Sequence, residues 1–293
     1  MRLALTCSTA VTLVLLAGSA WAGRTKCPPD SVAVGPVCVD RYEASVWSVP
    51  PKNARLVGQI RDGKAGIDEL AAGGAVQVGI IPMDSCQGNE YPATFPLTGN
   101  WTAPLYAASI AGVPPSTCIT WFQAEQACRL SGKRLLTNEE WQAAAAGTPD
   151  PGLGDDGTTT CATNSDFAAV TGARSACVST WGTHDMAGNV WEWVSGWVPV
   201  ALACTSWDAA HGGDVSCSSV IPPAAPTTTT TSLAGQATLG VIGQEAVAFD
   251  ANLPGAVIRG GNYATGTRNG IFAYFAGVNP TNISRSTGFR CAR

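Results

Sequence analysis

Apolar positions fall in short stretches separated by turn-forming residues, and 33 Gly and 19 Pro punctuate the chain. This predicts loops and short strands with few helices. Two helices are nevertheless marked. Thr120 with Gln123 three residues later forms a capping box, and the periodic Ala124, Ala127 and Cys128 carry that helix to a stop at Gly132. Thr137 and Glu140 form a second box, with Leu136 and Trp141 at the staple positions and the Ala143–Ala146 run leading to Gly147. Further on, a turn around Gly188 runs into a strand whose alternation puts Val190 and Glu192 on one face and Trp191 and Trp193 on the other. Glu192, sharing its face with Val190, needs a partner, since an unpaired buried carboxylate is expensive.

The first apolar run has a different meaning. Arg2, the stretch Leu3–Leu16 and Ala20-Trp21-Ala22 read as a signal peptide over residues 1–22. The run is shorter than the roughly 20 residues that span a bilayer. No later apolar stretch is that long, so the expectation is an exported chain, periplasmic or extracellular, with no membrane span in the mature part. Residues 23–293 are read as one domain, interrupted at about 199–250 by an insertion of small residues, Pro222-Pro223 and the Thr227–Thr231 run.

Composition narrows the chemistry. Cys7 leaves with the signal, and the ten other cysteines of the 11 form an even set in an exported chain, which argues for disulfides. No two are spaced C-x-x-C and only His184 and His211 are present, so structural zinc and thioredoxin-type redox chemistry are poorly supported. Proximity suggests Cys27 with Cys38, Cys161 with Cys177 and Cys204 with Cys217. Many other connectivities exist for ten cysteines. Charged residues make up 13%, the formal charge is -4, or -5 without Arg2, and no basic cluster stands out. Nucleic acid is therefore not an expected partner.

The segment Asp185-Met186-Ala187-Gly188-Asn189-Val190-Trp191-Glu192-Trp193 resembles the D-M-x-G-N-V-W-E-W signature of the formylglycine-generating enzyme (sulfatase-modifying factor) family. Cys38–Glu43, Thr120–Cys128 with Ser131–Trp141, Arg259-Gly260-Gly261-Asn262-Tyr263 and Gly288-Phe289-Arg290-Cys291-Ala292 resemble its other motifs in order. The resemblance implies an α+β fold, the sulfatase-modifying-factor variant of the C-type lectin fold, with little regular structure, two short helices, small antiparallel sheets and several disulfides. It implies a Cys128–Cys291 disulfide, which leaves Cys86 and Cys118 as a fifth pair. It also implies structural calcium held by the side chains of Asp185 and Glu192 and the carbonyls of Gly188 and Val190, oxygen donors suited to a hard cation. Read from the residues alone, Glu192 pairs instead with an arginine and Asp185 caps a turn. A second, weaker cation site lies near Asn164 and Asp166.

Copper-dependent members of that family oxidise a substrate cysteine with two thiolates just after the R-G-G-S-Y motif, since paired thiolates suit Cu(I). The matching positions here are Thr265 and Gly270, with no cysteine between Cys217 and Cys291. Copper is therefore not expected, and two histidines are too few for an iron site. The expected function is a non-catalytic module, a pseudoenzyme, whose C-terminal face of Asn262, Tyr263, Thr265, Arg268, Tyr274 and Arg285 binds a protein, peptide or glycan. Asn269, Phe272, Phe275, Asn279, Asn282 and Ser286 extend that face. Two other readings stay open. One is a formylglycine-type oxidoreductase with non-standard ligands. The other is a retroelement-diversified ligand-binding protein, with Arg268–Arg293 as its variable segment.

Overall fold

The computed structural model describes residues 26–80, 85–198 and 255–293. The expected signal peptide, the insertion at 199–250 and the Cys204–Cys217 pair lie outside the described residues. The N-terminal part contains β1 (Ser31–Val34), β2 (Val37–Asp40), β3 (Ala44–Ser48), α1 (Ala54–Arg61), α2 (Ile67–Ala72), β4 (Val76–Val78) and β5 (Tyr106–Ser109). Then come α3 (Trp121–Leu130), β6 (Arg134–Leu135), α4 (Asn138–Ala144) and β7 (Trp191–Val198). The chain closes with β8 (Gly255–Arg259), β9 (Tyr274–Val278), β10 (Thr287–Phe289) and β11 (Cys291–Ala292).

Both marked helices form as their caps dictate. Thr120 Oγ1 accepts from the Gln123 amide at 3.1 Å while Gln123 Oε1 accepts from the Thr120 amide at 3.2 Å. Thr137 and Glu140 repeat the exchange at 3.2 and 2.9 Å. Gly132 and Gly147 follow the two helices with φ of 71° and 81°, the left-handed conformation that stops a helix.

The expectation of two helices is corrected to four among the described residues. Asn53 caps α1 by accepting from the Leu56 amide at 3.1 Å, and Leu56 and Ile60, one turn apart, are its buried pair. In α2 the Glu69 carboxylate accepts from the Gly66 amide at 2.9 Å, and Asp68 and Glu69 complement the helix dipole. Each helix has a narrow apolar stripe, and Gly58 interrupts the first, so their signal is weak in the pattern of apolar positions.

Three small sheets form, ordered β1-β2-β11-β6, β10-β7-β8-β9 and β4-β3-β5. They are antiparallel except that β10 pairs with β7 in parallel, Thr287 opposite Trp191 and Phe289 opposite Trp193. That pairing corrects the expectation of antiparallel sheets throughout. Both faces of β7 are covered. Trp191 and Trp193 join Phe275, Phe289 and Ile258 in one buried cluster, and Val194 joins Leu136, Trp141, Met186 and Val257 in another. A third cluster holds Trp47 with Leu56, Ile60 and Leu70 from the two additional helices.

Disulfides join Cys27 to Cys38, Cys86 to Cys118, Cys128 to Cys291 and Cys161 to Cys177. The third fastens α3 to the last strand. Such bonds restrain a chain whose backbone is largely outside regular ladders.

Candidate functional site

Two neighbouring loops carry the expected chemistry, and both fold around residues with positive φ. In the first, Asp185, Gly188 and Asn189 have φ of 60°, 77° and 57°. A Cβ on Gly188 would lie 2.1 Å from the Ala162 carbonyl oxygen, so only glycine fits there. The turn is stitched to its surroundings by the Asn189 amide donating to Ala162 O at 2.7 Å and the Gly188 amide donating to Gly260 O at 3.0 Å.

Glu192 has its partner. Arg290 Nη2 donates to Glu192 Oε1 at 2.6 Å and Arg290 Nε to Oε2 at 2.8 Å, while Trp141 Nε1 donates to Oε2 at 2.7 Å. Arg290 also donates to the carbonyls of Asp40 and His184, at 3.2 and 2.8 Å. Asp185 accepts from the Gly172 amide at 2.6 Å. The geometry is thus an arginine partner for Glu192 and a turn-fastening role for Asp185.

Glu43 is a participant to which the sequence reading gave no role. It is fully buried, and it accepts from the Val190 amide at 3.1 Å and from the Asn189 side-chain amide. Its one sequence signal is a carboxylate opening the apolar run that becomes β3. Three buried carboxylates, Glu43, Asp185 and Glu192, therefore lie around the Arg290 guanidinium, and Arg174 also acts on Asp185. Burial raises Glu43 well above the usual carboxylate range, with Asp185 and Glu192 adding to the shift. Burial also pushes Asp185 up to about 6.

Asp185, at about 6, is ionised at neutral pH and fits a divalent cation as a single carboxylate, whereas burial keeps Glu43 towards its neutral form. The ligand set fits less well, because both oxygens of Glu192 are already taken by Arg290 and Trp141. Among the described residues no three His, Cys, Asp or Glu side chains gather into a metal-holding group. Near the second expected site, Asn164 and Asp166 are exposed. The carboxylate that organises that loop is Asp155, which accepts from the Thr163 amide at 3.1 Å and the Gly157 amide at 2.8 Å.

The second loop follows β8. Arg259, buried beneath Trp141 at 4.5 Å and Tyr274 at 5.5 Å, donates to Ala273 O at 2.9 Å and to Asn138 and Gln142 at 2.5 Å each. After it the chain turns inward. Thr265 Oγ1 accepts from the Asn262 amide at 2.9 Å and lies 2.7 Å from Asn269 Oδ1, while Asn269 Nδ2 donates to Thr163 O at 3.1 Å. Asn262 Oδ1 accepts from the Ala264 amide at 2.8 Å. Gly270 has φ of 107°, and a Cβ there would lie 2.7 Å from Asp150 Oδ2. The two positions that align with copper-binding thiols are thus a turn-stapling hydroxyl and a left-handed glycine, where any side chain would be strained and would displace the Asp150 carboxylate. Gly270→Ala is expected to cost about 1–3 kcal/mol in urea unfolding, from the left-handed strain and the Asp150 contact. A loss below a few tenths of a kcal/mol would show that the loop relaxes freely.

The expected binding face is corrected by the same geometry. Asn262, Tyr263 and Thr265 are buried: Asn262 Oδ1 and Thr265 Oγ1 serve the turn, and the Tyr263 amide donates to Asn189 O at 2.9 Å. Asn269, Phe275 and Ser286 are buried as well. Arg268 is exposed, and Tyr274 and Arg285 are half-buried. The outward surface also includes Thr267, Phe272 at 41% exposure and Leu153 at 65%, the last lying against Gly266. Leu153 was not anticipated, since nothing in the sequence brings residue 153 to the loop at 266.

The sulfatase-modifying factor enzyme 1-like domain family matches residues 101–293, and no curated protein matches the chain. Among solved structures, the Major Tropism Determinant I1 variant is 17% identical, with 87% of this chain and 50% of that chain covered at a TM-score of 0.43. PvdO from Pseudomonas aeruginosa is 15% identical over 88% of this chain and 80% of its own, at 0.34. Treponema denticola variable protein 1 is 16% identical over 61% and 70%, at 0.29. The chain thus spans half the length of the Major Tropism Determinant. Its motifs, its disulfide-fastened α+β architecture and a family match over more than half its length agree, and the chain belongs to the sulfatase-modifying factor enzyme 1-like family.

Proposed function

We propose that the chain is an exported, non-catalytic binding or structural module of this family, recognising a protein, peptide or glycan through the outward part of its C-terminal loop. The observation that carries the reading is the pair Thr265 and Gly270. One is committed to a buried turn and the other holds a left-handed conformation that disfavours a cysteine, so the soft-ligand pair that copper needs is replaced by a structural loop. Leu153, Arg268 and Phe272 on its outer side supply the apolar and guanidinium groups of a recognition patch. Export is supported by the disulfides, which belong to oxidising compartments, and no helix among the described residues is long and apolar enough to cross a membrane. The test is titration with Cu(I) followed by oxygen uptake with a cysteine peptide. Neither stoichiometric binding nor oxygen consumption is expected, and observing both would overturn the reading.

Calcium belongs to this proposal as a structural ion held by Asp185 with the carbonyls of Gly188 and Val190, leaving Glu192 to Arg290. Its effect depends on pH. Asp185 rises from an ordinary 3.8 to about 6, so between those values the folded chain binds more protons than the unfolded one. The contribution of this group is therefore full at low pH and is lost as pH rises towards 6. Calcium takes the ionised carboxylate and offsets that loss. Calcium is expected to raise the melting temperature more at about pH 7.5 than at about pH 5, and Asp185→Asn is expected to abolish the difference. Equal melting with calcium and with a chelator at both pH values would remove the ion from this turn.

A further inference from the structure

A second buried cluster lies in the sheet β1-β2-β11-β6, next to Arg290, which donates to the Asp40 carbonyl. Lys133, just before β6, is buried, with its side chain 0% exposed. Its Nζ donates to Asp40 Oδ1 and to Asp30 Oδ2, at 2.6 Å each. Asp40 ends β2 with its side chain 0% exposed, and its other oxygen accepts from the Cys291 amide at 3.3 Å. Asp30, 7% exposed, is held on its far side by Arg293 Nη1 at 2.9 Å. An amine, a carboxyl group and a second carboxylate bonded to the same amine are thus fixed in contact, away from water.

We propose that Lys133 and Asp40 condense into an intramolecular isopeptide bond, with Asp30 as the proton shuttle. Taking an ammonium and a carboxylate out of water costs several kcal/mol per ion, and an amide at the same place carries no charge to desolvate. Holding the reacting atoms together removes the entropy that opposes the bimolecular reaction. Asp30 takes a proton from Lys133 Nζ, and the neutral amine attacks Asp40 Cγ. The Cys291 amide faces the oxygen on which charge develops. Asp30 returns that proton to the departing hydroxyl and accepts the second amine proton as the amide forms, so that it ends as the neutral acid. One N–C bond forms, one C–O bond breaks, and a single water leaves, with no oxidant and no cofactor.

The charge states of the two aspartates suit these roles. Burial, opposed by the Lys133 charge, lifts Asp40 to about 6, which favours the neutral acid that is attacked. Burial also works on Asp30, but Lys133 and Arg293 together hold it below the ordinary value, so it starts ionised. The product would tie Asp40 on β2 to the residue preceding β6, across the strand β11 that separates them in the sheet.

The purified full-length chain, reduced and alkylated so that disulfides do not contribute, is expected to weigh one water less than its sequence. Digestion should yield one branched peptide joining the segments around Asp40 and Lys133, missing from Asp40→Ala and greatly reduced in Asp30→Asn. The branched wild-type peptide decides the matter even if the variants fail to fold, because water lost elsewhere, as in a succinimide, would leave both segments linear. A full sequence mass with linear Asp40 and Lys133 peptides would overturn the proposal and leave the cluster as an ion-pair triad.

Discussion

Replacing Arg290 with methionine is expected to lower the unfolding free energy by about 3–5 kcal/mol, enough to remove a large part of the stability of a typical domain. The reason is the count of charges around it. Arg290 is fully buried and has Glu43, Asp185 and Glu192 all within its electrostatic reach. Without it, Glu192 keeps a single donor, Trp141 Nε1, and the carbonyls of Asp40 and His184 lose a donor each. A buried carboxylate left in that state is far more costly than the ion pair is favourable. Glu192→Gln in the Arg290→Met background removes the stranded charge and should recover part of the loss. Urea unfolding of the two variants checks both halves. A single-variant loss under about 1 kcal/mol would mean that water or a proton neutralises the cluster at little cost.

That cluster also shows where sequence and structure part. Glu192 was legible as a carboxylate needing a partner, because alternation placed it beside Val190 in an apolar strand. Its partner lies 98 positions away in β10-to-β11, and nothing local to either residue encodes the pairing. Glu43 is similar, being separated by 147 positions from the amide it fastens. The capping boxes of α3 and α4 were legible for the opposite reason, since all their contacts lie within three residues.

The binding face failed differently. Asn, Thr and Tyr side chains in a glycine-rich loop suit a recognition surface and an internally hydrogen-bonded turn equally well, and composition does not separate the two. Here the turn wins because Gly260, Gly261 and Gly270, with φ of 92°, 84° and 107°, fold the loop back on itself and direct Asn262, Thr265 and Asn269 inward. A Cβ on Gly261 would meet Asn269 Oδ1 at 1.9 Å, which shows how closely the strands of that loop approach. Leu153 and Phe272 end on the outside by the same fold.

Removing the disulfide between Cys128 and Cys291 is expected to be the other large loss, on the order of 5 kcal/mol if chain entropy alone decides, and within about 2–5 kcal/mol after native-state relaxation. The bond spans 163 residues, whereas Cys27–Cys38 spans 11, for which the same reasoning gives about 3 kcal/mol. It also secures a strand with little else to hold it. In β11 Ala292 pairs with Val39 and with Arg134, and Cys291 with Leu135. Arg290 comes immediately before, so freeing this end also loosens the guanidinium that balances Glu43, Asp185 and Glu192. The two losses are therefore coupled. Cys128→Ala/Cys291→Ala combined with Arg290→Met should cost less than the sum of the separate changes, since either one alone already releases the same strand. The measurement is urea unfolding of the two disulfide-deleted chains side by side, with the triple variant completing the cycle. If deleting Cys27–Cys38 proved the more damaging, the closing strand would owe its position to packing around Phe289 and not to the bond with α3.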